Sequence, residues 1–251
     1  MQTKILITND DGIYARGIKA LITGLSGVAN LTVVAPDREQ SASSHSLTLM
    51  NPLRIKERSP GYYAVDGTPT DCVFLGVNHI MRRQPPDLVI SGINRGGNLG
   101  DDITYSGTVA AAFEATLLGI PAIAISLEYK SDFYFDTAAR VVREIAEKVL
   151  AAGMPADTLL NVNVPDLPWD ELSGFRVTRQ GKRTYSDVVC ENCDPRGRPY
   201  YWIGGEVLKG DDPEGTDAAL VAAGYVSITP IHLDLTNYKA IEPLQKWEWS
   251  I

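Results

Sequence analysis

Short apolar runs that stop abruptly at polar residues recur along the first two thirds of this chain: Ile5–Ile7, Leu31–Ala35, Leu88–Ile90, Ile120–Leu127 and Leu159–Val164. Runs of this length without polar alternation read as strands buried on both faces. Helical patterns fall between them, from about Tyr14 to Leu25, from Gly67 towards Ile80, over Val109–Leu118 and over Phe133–Ala152. Such alternation specifies an α/β fold, a doubly wound and mostly parallel sheet. Within Gly67–Cys72, Thr68 suits a helix N-cap and Pro69 the first helical position.

Two stretches depart from this rhythm. Thr48–Met50, Leu53–Lys56 and Tyr62–Val65 read as short strands of an antiparallel excursion. After Pro165, the runs Phe175–Thr178, Tyr185–Val189 and Tyr200–Ile203 read as β-ribbons, with a turn at Asp194-Pro195-Arg196-Gly197. Lone ribbons are marginal in water, so a projecting arm that packs on another subunit is expected. The run Tyr200-Tyr201-Trp202-Ile203 would otherwise be an exposed apolar patch. A helix at Asp217–Ala223 and a strand at Tyr225–Ile228 return to the core. The expected layout is one domain, with its core over about 1–165 and 210–230 and its arm over about 175–208.

Composition narrows the function classes. A net charge of -8 over 251 residues argues against stable binding to nucleic acid, which needs clustered Lys and Arg. No run of about 18 or more apolar residues exists, so no membrane span is expected. Cys72, Cys190 and Cys193 are odd in number, and Cys190-x-x-Cys193 lacks a second pair at zinc spacing. A reducing cytoplasmic setting is expected.

In open α/β sheets, ligands bind at the carboxyl ends of the strands. The first strand ends in Asp10 and Asp11, two adjacent carboxylates whose repulsion calls for a cation or donors. A helix cap with a solvated neighbour is the alternative. The second strand runs into a polar loop carrying Ser41, and the third into Ser91–Asp102, which carries Asn94, Asn98 and four glycines. Ser106, Gly107 and Thr108 open the next helix, where a phosphate-sized anion could bind and where either hydroxyl could also be a plain N-cap. Every candidate ligand atom is oxygen, unless His45 joins the set, and hard oxygen sites favour Mg²⁺, Mn²⁺ or Ca²⁺ over zinc. A cation with few protein ligands can orient a phosphate and acidify water, the kit for phosphomonoester hydrolysis. Neither GxxxxGK[ST] nor GxGxxG occurs, so ATP or dinucleotide binding has no support. A phosphorylation receiver is excluded by Gly92, which stands where its acceptor Asp would be.

The runs Thr8–Gly12, Pro36–Arg38 with Ser46–Thr48, Gly67–Cys72 and Ser91–Asn94 through Tyr105–Val109 resemble the stationary-phase survival protein SurE family. The likeness keeps its order over the N-terminal two thirds, and Asp194–Trp202 extends it into the arm. It implies a Rossmann-like three-layer core and metal-dependent removal of phosphate from nucleoside 5′- or 3′-monophosphates. It also implies one divalent ion per subunit, Mg²⁺ or Mn²⁺, on Asp10, Asp11, Ser41 and Asn94. A cytoplasmic homodimer or homotetramer with exchanged C-terminal arms is implied as well.

The expected mechanism has a metal-activated water attacking phosphorus in line. Asp10, Asp11 and Asn98 are then the catalytic set, and Asn98, Ser106, Gly107 and Thr108 hold the phosphoryl oxygens. An aspartyl-phosphate on Asp10 is the alternative route. A nucleotide sensor without turnover is the alternative function. Selectivity for the base should be shallow, with Tyr105 available to stack on a ring.

Overall fold

Successive side chains of the first strand, β1 (Lys4–Thr8), enter two different cores: Ile5 and Ile7 on one face, Leu6 on the other. A strand of that kind needs helices on both sides. The computed structural model, which describes residues 3–130, 132–186, 188–205 and 213–249, places them there. After β1 come α1 (Arg16–Gly24), β2 (Asn30–Pro36), β3 (Ile55–Ser59), β4 (Tyr62–Val65), α2 (Pro69–Leu75) and β5 (Leu88–Arg95). Next are α3 (Gly107–Leu117), β6 (Ala122–Glu128), α4 (Phe135–Ala152), β7 (Thr158–Pro165) and β8 (Phe175–Val177). The chain continues with β9 (Val188–Cys193), β10 (Pro199–Gly204), α5 (Asp217–Ala222), β11 (Val226–His232) and α6 (Tyr238–Gln245).

The main sheet has nine strands in the order β3-β4-β2-β1-β5-β6-β7-β11-β8. From β4 to β7 every pairing is parallel, while β3 on β4 and β11 on β7 are antiparallel. Helices α1 and α4 cover one face, and α2 and α3 the other. The chain leaves β1 for β2 on one side and later returns to β5 on the other. The loops after β1 and β5 therefore diverge and open a crevice at the carboxyl end of the sheet.

The end of β5 is bent into that crevice. Its register against β6 shifts between Ser91 and Asn94, Gly92 adopts φ +137°, and the Gly92–Ile93 peptide is cis. A Cβ at Gly92 would stand 2.3 Å from the Ile125 carbonyl oxygen, and one at Gly17 only 1.9 Å from that of Ile93. Both neighbours press on the bulge, and only hydrogen fits between.

Three expectations change. Thr48–Met50 is not a strand, because the backbone N–H and hydroxyl of Thr48 both bond the Asp71 carboxylate, at 2.8 and 2.6 Å. The excursion is reduced to the β3–β4 hairpin, with β3 starting at Ile55. Phe175–Val177 does not belong to the ribbons: β11 extends to His232 and pairs with it, so β8 forms the sheet edge. The arm is the two-stranded β9–β10 ribbon. Residues 206–208 of the expected arm and 210–212 of the resumed core lie outside the described residues. Thr68 and Asp71 form a reciprocal capping box on α2, with Pro69 at its first turn, and a π-helical turn at Gly76–Ile80 follows.

Gly17→Ala should lower stability by about 2 kcal/mol or more, because backbone on both sides must move. Gly27→Ala, with nothing within 4 Å of its added Cβ, should cost only the roughly 1 kcal/mol of its left-handed φ. Urea denaturation of the two variants checks the difference.

Candidate functional site

The turn after β1 is tight. Asn9 Nδ2 donates to the Gly12 carbonyl at 2.9 Å, and Gly12 takes φ +96°. This turns Asp10 inward, where it is 4% exposed. Thr108 holds both carboxylate oxygens: its hydroxyl donates to Oδ1 at 2.5 Å and its backbone N–H to Oδ2 at 3.2 Å. Ser106 is the N-cap of α3, its Oγ accepting from the Val109 N–H at 3.1 Å. A Cβ at Gly107 would stand 2.9 Å from Asp10 Cβ, so the carboxylate sits directly on the helix start. Thr108, expected to hold phosphate, here donates to Asp10 with both its groups.

Burial pushes the Asp10 carboxyl above its usual range, and the Thr108 donors only partly offset it. The Asp11 carboxyl is pushed up to about 6, first by burial and then by the Asp10 charge, against a 3.3 Å bond from the Arg95 N–H. Two such carboxylates side by side favour a cation.

The serine loop is tied down from three sides. The Gln40 N–H donates to the Asp10 carbonyl at 2.8 Å, and Ser44 Oγ to the Thr104 carbonyl at 3.0 Å. Asp71 takes Thr48, and Thr68 Oγ1 donates to the Ser46 carbonyl at 2.8 Å. The Gly67–Cys72 motif is therefore an anchor for the loop carrying Ser41. Ser41 itself is exposed and donates to Glu39 Oε1 at 2.8 Å.

The glycine loop after β5 is held by residues the sequence reading passed over. Asn161 and Asn163 of β7 donate their side-chain amides to the Asn98 carbonyl at 2.8 and 3.0 Å. Asn163 Oδ1 also accepts from the Asn98 N–H at 2.8 Å, and the Asn98 side chain donates to Ser126 Oγ at 2.6 Å. Buried Asp217 accepts from the N–H groups of Gly100, at 2.9 Å, and Gly181, at 2.8 Å. The available signal was Asn161-x-Asn163, two amides on one face of an otherwise apolar strand.

Asp10, Ser41, Asn94, Asn98 and Ser106 share one cleft of about 580 Å³. Asp11 opens on an adjoining cleft of about 270 Å³ with Arg16, Phe133 and Phe135, and Arg95 lines both. Asn94 Nδ2 donates to the Gly96 carbonyl at 2.9 Å, which leaves Oδ1 for a ligand. Among the described residues, no three His, Cys, Asp or Glu converge as ligands. Two carboxylates plus neutral hydroxyl and amide oxygens fit a hard divalent cation, not zinc.

The electrostatics carry a sign. The folded state holds the Asp11 proton more firmly than the unfolded chain does. Its contribution to stability is therefore complete below about pH 4 and lost as the pH rises through about 6. In chelator, Asp11→Asn should be more stable than the parent by about 2 kcal/mol at pH 7, and the gap should close near pH 4. Urea midpoints between pH 4 and 8 measure this.

The family model described as survival protein SurE matches residues 5–187. The chain is 57% identical over 247 residues to the 5′-nucleotidase SurE of Geobacter sulfurreducens, covering 98% of this chain and 94% of that protein. It is 55% identical to the 5′-nucleotidase SurE of Geobacter metallireducens, with 98% of each covered. The crystal structure of SurE protein from Aquifex aeolicus superposes with a TM-score of 0.87 at 49% identity, covering 96% of this chain and 98% of that one. With the family matched over most of its length and relatives above half identity along nearly all of it, this chain belongs to the survival protein SurE family.

Proposed function

We propose that this chain is a cytoplasmic, divalent-metal-dependent nucleotidase that removes phosphate from nucleoside 5′- and 3′-monophosphates. The observation that carries the reading is the buried Asp10, fixed on the start of α3 in the same cleft as Ser41, Asn94 and Asn98. The 5′-nucleotidase activity named for relatives at 55–57% identity supports it. No helix among the described residues is long and apolar enough to cross a membrane.

Asp10, Asp11, Ser41 and Asn94 would hold one Mg²⁺ or Mn²⁺, which when bound neutralises phosphoryl charge and acidifies water. The chain's own groups do the positioning. Thr108 fixes Asp10 through both its oxygens before any substrate arrives. Asn98, Ser106 and Gly107 would receive the phosphoryl oxygens beside the helix start, where the Thr108 donors already hold Asp10. The bonds from Asn161 and Asn163 fix the backbone of Asn98. Because both Asp10 oxygens already accept hydrogen bonds, attack by water is favoured over an aspartyl-phosphate.

Among the described residues, Arg95 is the one basic side chain lining the cleft, which suits a single terminal phosphate. Nucleoside monophosphates should surpass triphosphates in kcat/KM, and cyclic AMP should be nearly inert. A panel assay for released phosphate or ring opening tests this ranking.

Chelation should abolish phosphate release from AMP, and Mg²⁺ or Mn²⁺ should restore it. Asp10→Asn and Asp11→Asn should each lower kcat by about 100-fold or more. AMP that binds without releasing phosphate would make the protein a sensor instead.

Association of copies through the arm completes the proposal. Tyr201 and Trp202 of β10 are 58% and 66% exposed, a large apolar surface for a free ribbon. Light scattering should find a dimer or tetramer, and replacing the ribbon with a Gly-Ser linker should lower the mass.

A further inference from the structure

On the sheet face that α2 covers, the apolar rows of three strands turn polar or basic towards their amino ends. On β1 the row runs from Leu6 to Lys4, on β2 from Val34 through Thr32 to Asn30, and on β4 from Val65 to Tyr63. Helix α2 joins β4 to β5, two strands that point the same way, so it runs back towards those amino ends. The π-helical turn at Gly76–Ile80 continues it, and the segment after that turn arrives beside Lys4. There Lys4, His79, Arg82 and Arg83 line a pocket of about 620 Å³, with Tyr63 and the polar residues of β2. It shares no lining residue with the cleft around Asp10. Lys4 and Asp10 lie six residues apart along β1 and its end, so the two sites stand about 20 Å from each other.

Four basic side chains in one pocket run against the composition of a chain with 31 Asp and Glu and only 23 Lys and Arg. No carboxylate belongs to the lining. Asp87 accepts from the Lys4 backbone N–H at 2.8 Å, and Glu57 lies beside the Tyr63 hydroxyl. Among the described residues, none of the four basic side chains forms an ion pair. The carboxyl end of a helix attracts cations, but it carries only about half an elementary charge. Lys4, Arg82 and Arg83 bring three permanent positive charges, so most of that charge has no partner. Like charges gathered in a concave site raise the local potential and favour an anion. The cations are spread over the start of β1 and the segment after α2, which suits an anion with several charges along its length.

We propose that this pocket binds an oligophosphate, either inorganic or as the phosphate chain of a nucleoside triphosphate. Arg82 and Arg83 supply planar forks for phosphate oxygens, and Lys4 supplies a point charge. The candidate metal ligands lie at the other end of the sheet, so a ligand here is held and not hydrolysed. Tyr63 separates the two sources, because its ring has a stacking partner only in a nucleotide.

Calorimetric titration of the full chain in EDTA at low salt, with tripolyphosphate, ATP and AMP, tests the site. EDTA keeps metal-dependent turnover silent, so the outcome does not depend on the nucleotidase reading. Tripolyphosphate should bind at least about 10-fold more tightly than AMP, and its affinity should fall as salt is added. Arg82→Gln and Arg83→Gln should each weaken it by about 5-fold, and Arg82→Glu with Arg83→Glu by about 100-fold. Both positions are exposed, and a cooperative urea transition verifies that the variants fold. Asp10→Asn should leave the affinity unchanged. ATP that binds about 10-fold more tightly than tripolyphosphate, with the gain lost in Tyr63→Ala, identifies the nucleotide as the source; equal affinities identify the phosphate chain alone. A parent that binds neither ligand overturns the proposal, as does binding that the charge reversal leaves intact. Binding lost in Asp10→Asn would move the ligand to the other cleft and overturn it too.

Discussion

A carboxylate of the protein itself occupies the start of α3. Asp10 is buried, and a buried charge must be paired or hydrogen-bonded. The Thr108 hydroxyl and amide meet that need at the positive end of a helix. Much else follows from this contact. It fixes how close α3 stands to the end of β1, which is why residue 107 has no side chain. It also sets the height at which the serine loop crosses, since the Gln40 N–H bonds the Asp10 carbonyl. The burial that orients Asp10 raises its pKa and that of Asp11, so the paired carboxylates favour a proton or a counter-charge.

The loops around the crevice are held by side chains gripping backbone. A loop has no ladder to satisfy its N–H and C=O groups, so buried loop backbone needs other partners. Asp71 supplies them for the serine loop, Asn161 and Asn163 for Asn98, and Asp217 for Gly100 and Gly181. These partners sit on regular elements: α2, β7 and the first position of α5. Scaffold rigidity is thus passed to the loops that carry the candidate ligands. The apolar layers under α1 and α4 and under α2 and α3 fix the sheet, and this polar layer on top fixes the site.

The ribbon stands apart from the main sheet. Its strands pair only with each other, and nearly all of its surface is open. Side chains on alternating positions face opposite ways, so Ile203 borders the cleft while Trp202 lies on the opposite face of the ribbon.

The α/β class, the alternation of strands and helices that builds the parallel part of the sheet, and the placing of Asp10 after β1 and Asn94 at the end of β5 were legible in the sequence. They depend on local rules: buried strands read as short apolar runs, and Thr68-Pro69 with Asp71 starts a helix wherever it occurs. Tertiary structure decided what crosses long sequence distances. Thr48 could not be read as an irregular residue, because the carboxylate that takes it from a strand lies 23 positions away. The edge position of β8 depends on β11, and the clamp on Asn98 joins residues 63 and 65 apart. Whether Thr108 would hold phosphate or serve as a plain cap was likewise open, because a hydroxyl at a helix start can do either, and Asp10 was not among the partners expected. Packing across 98 residues gave it the carboxylate.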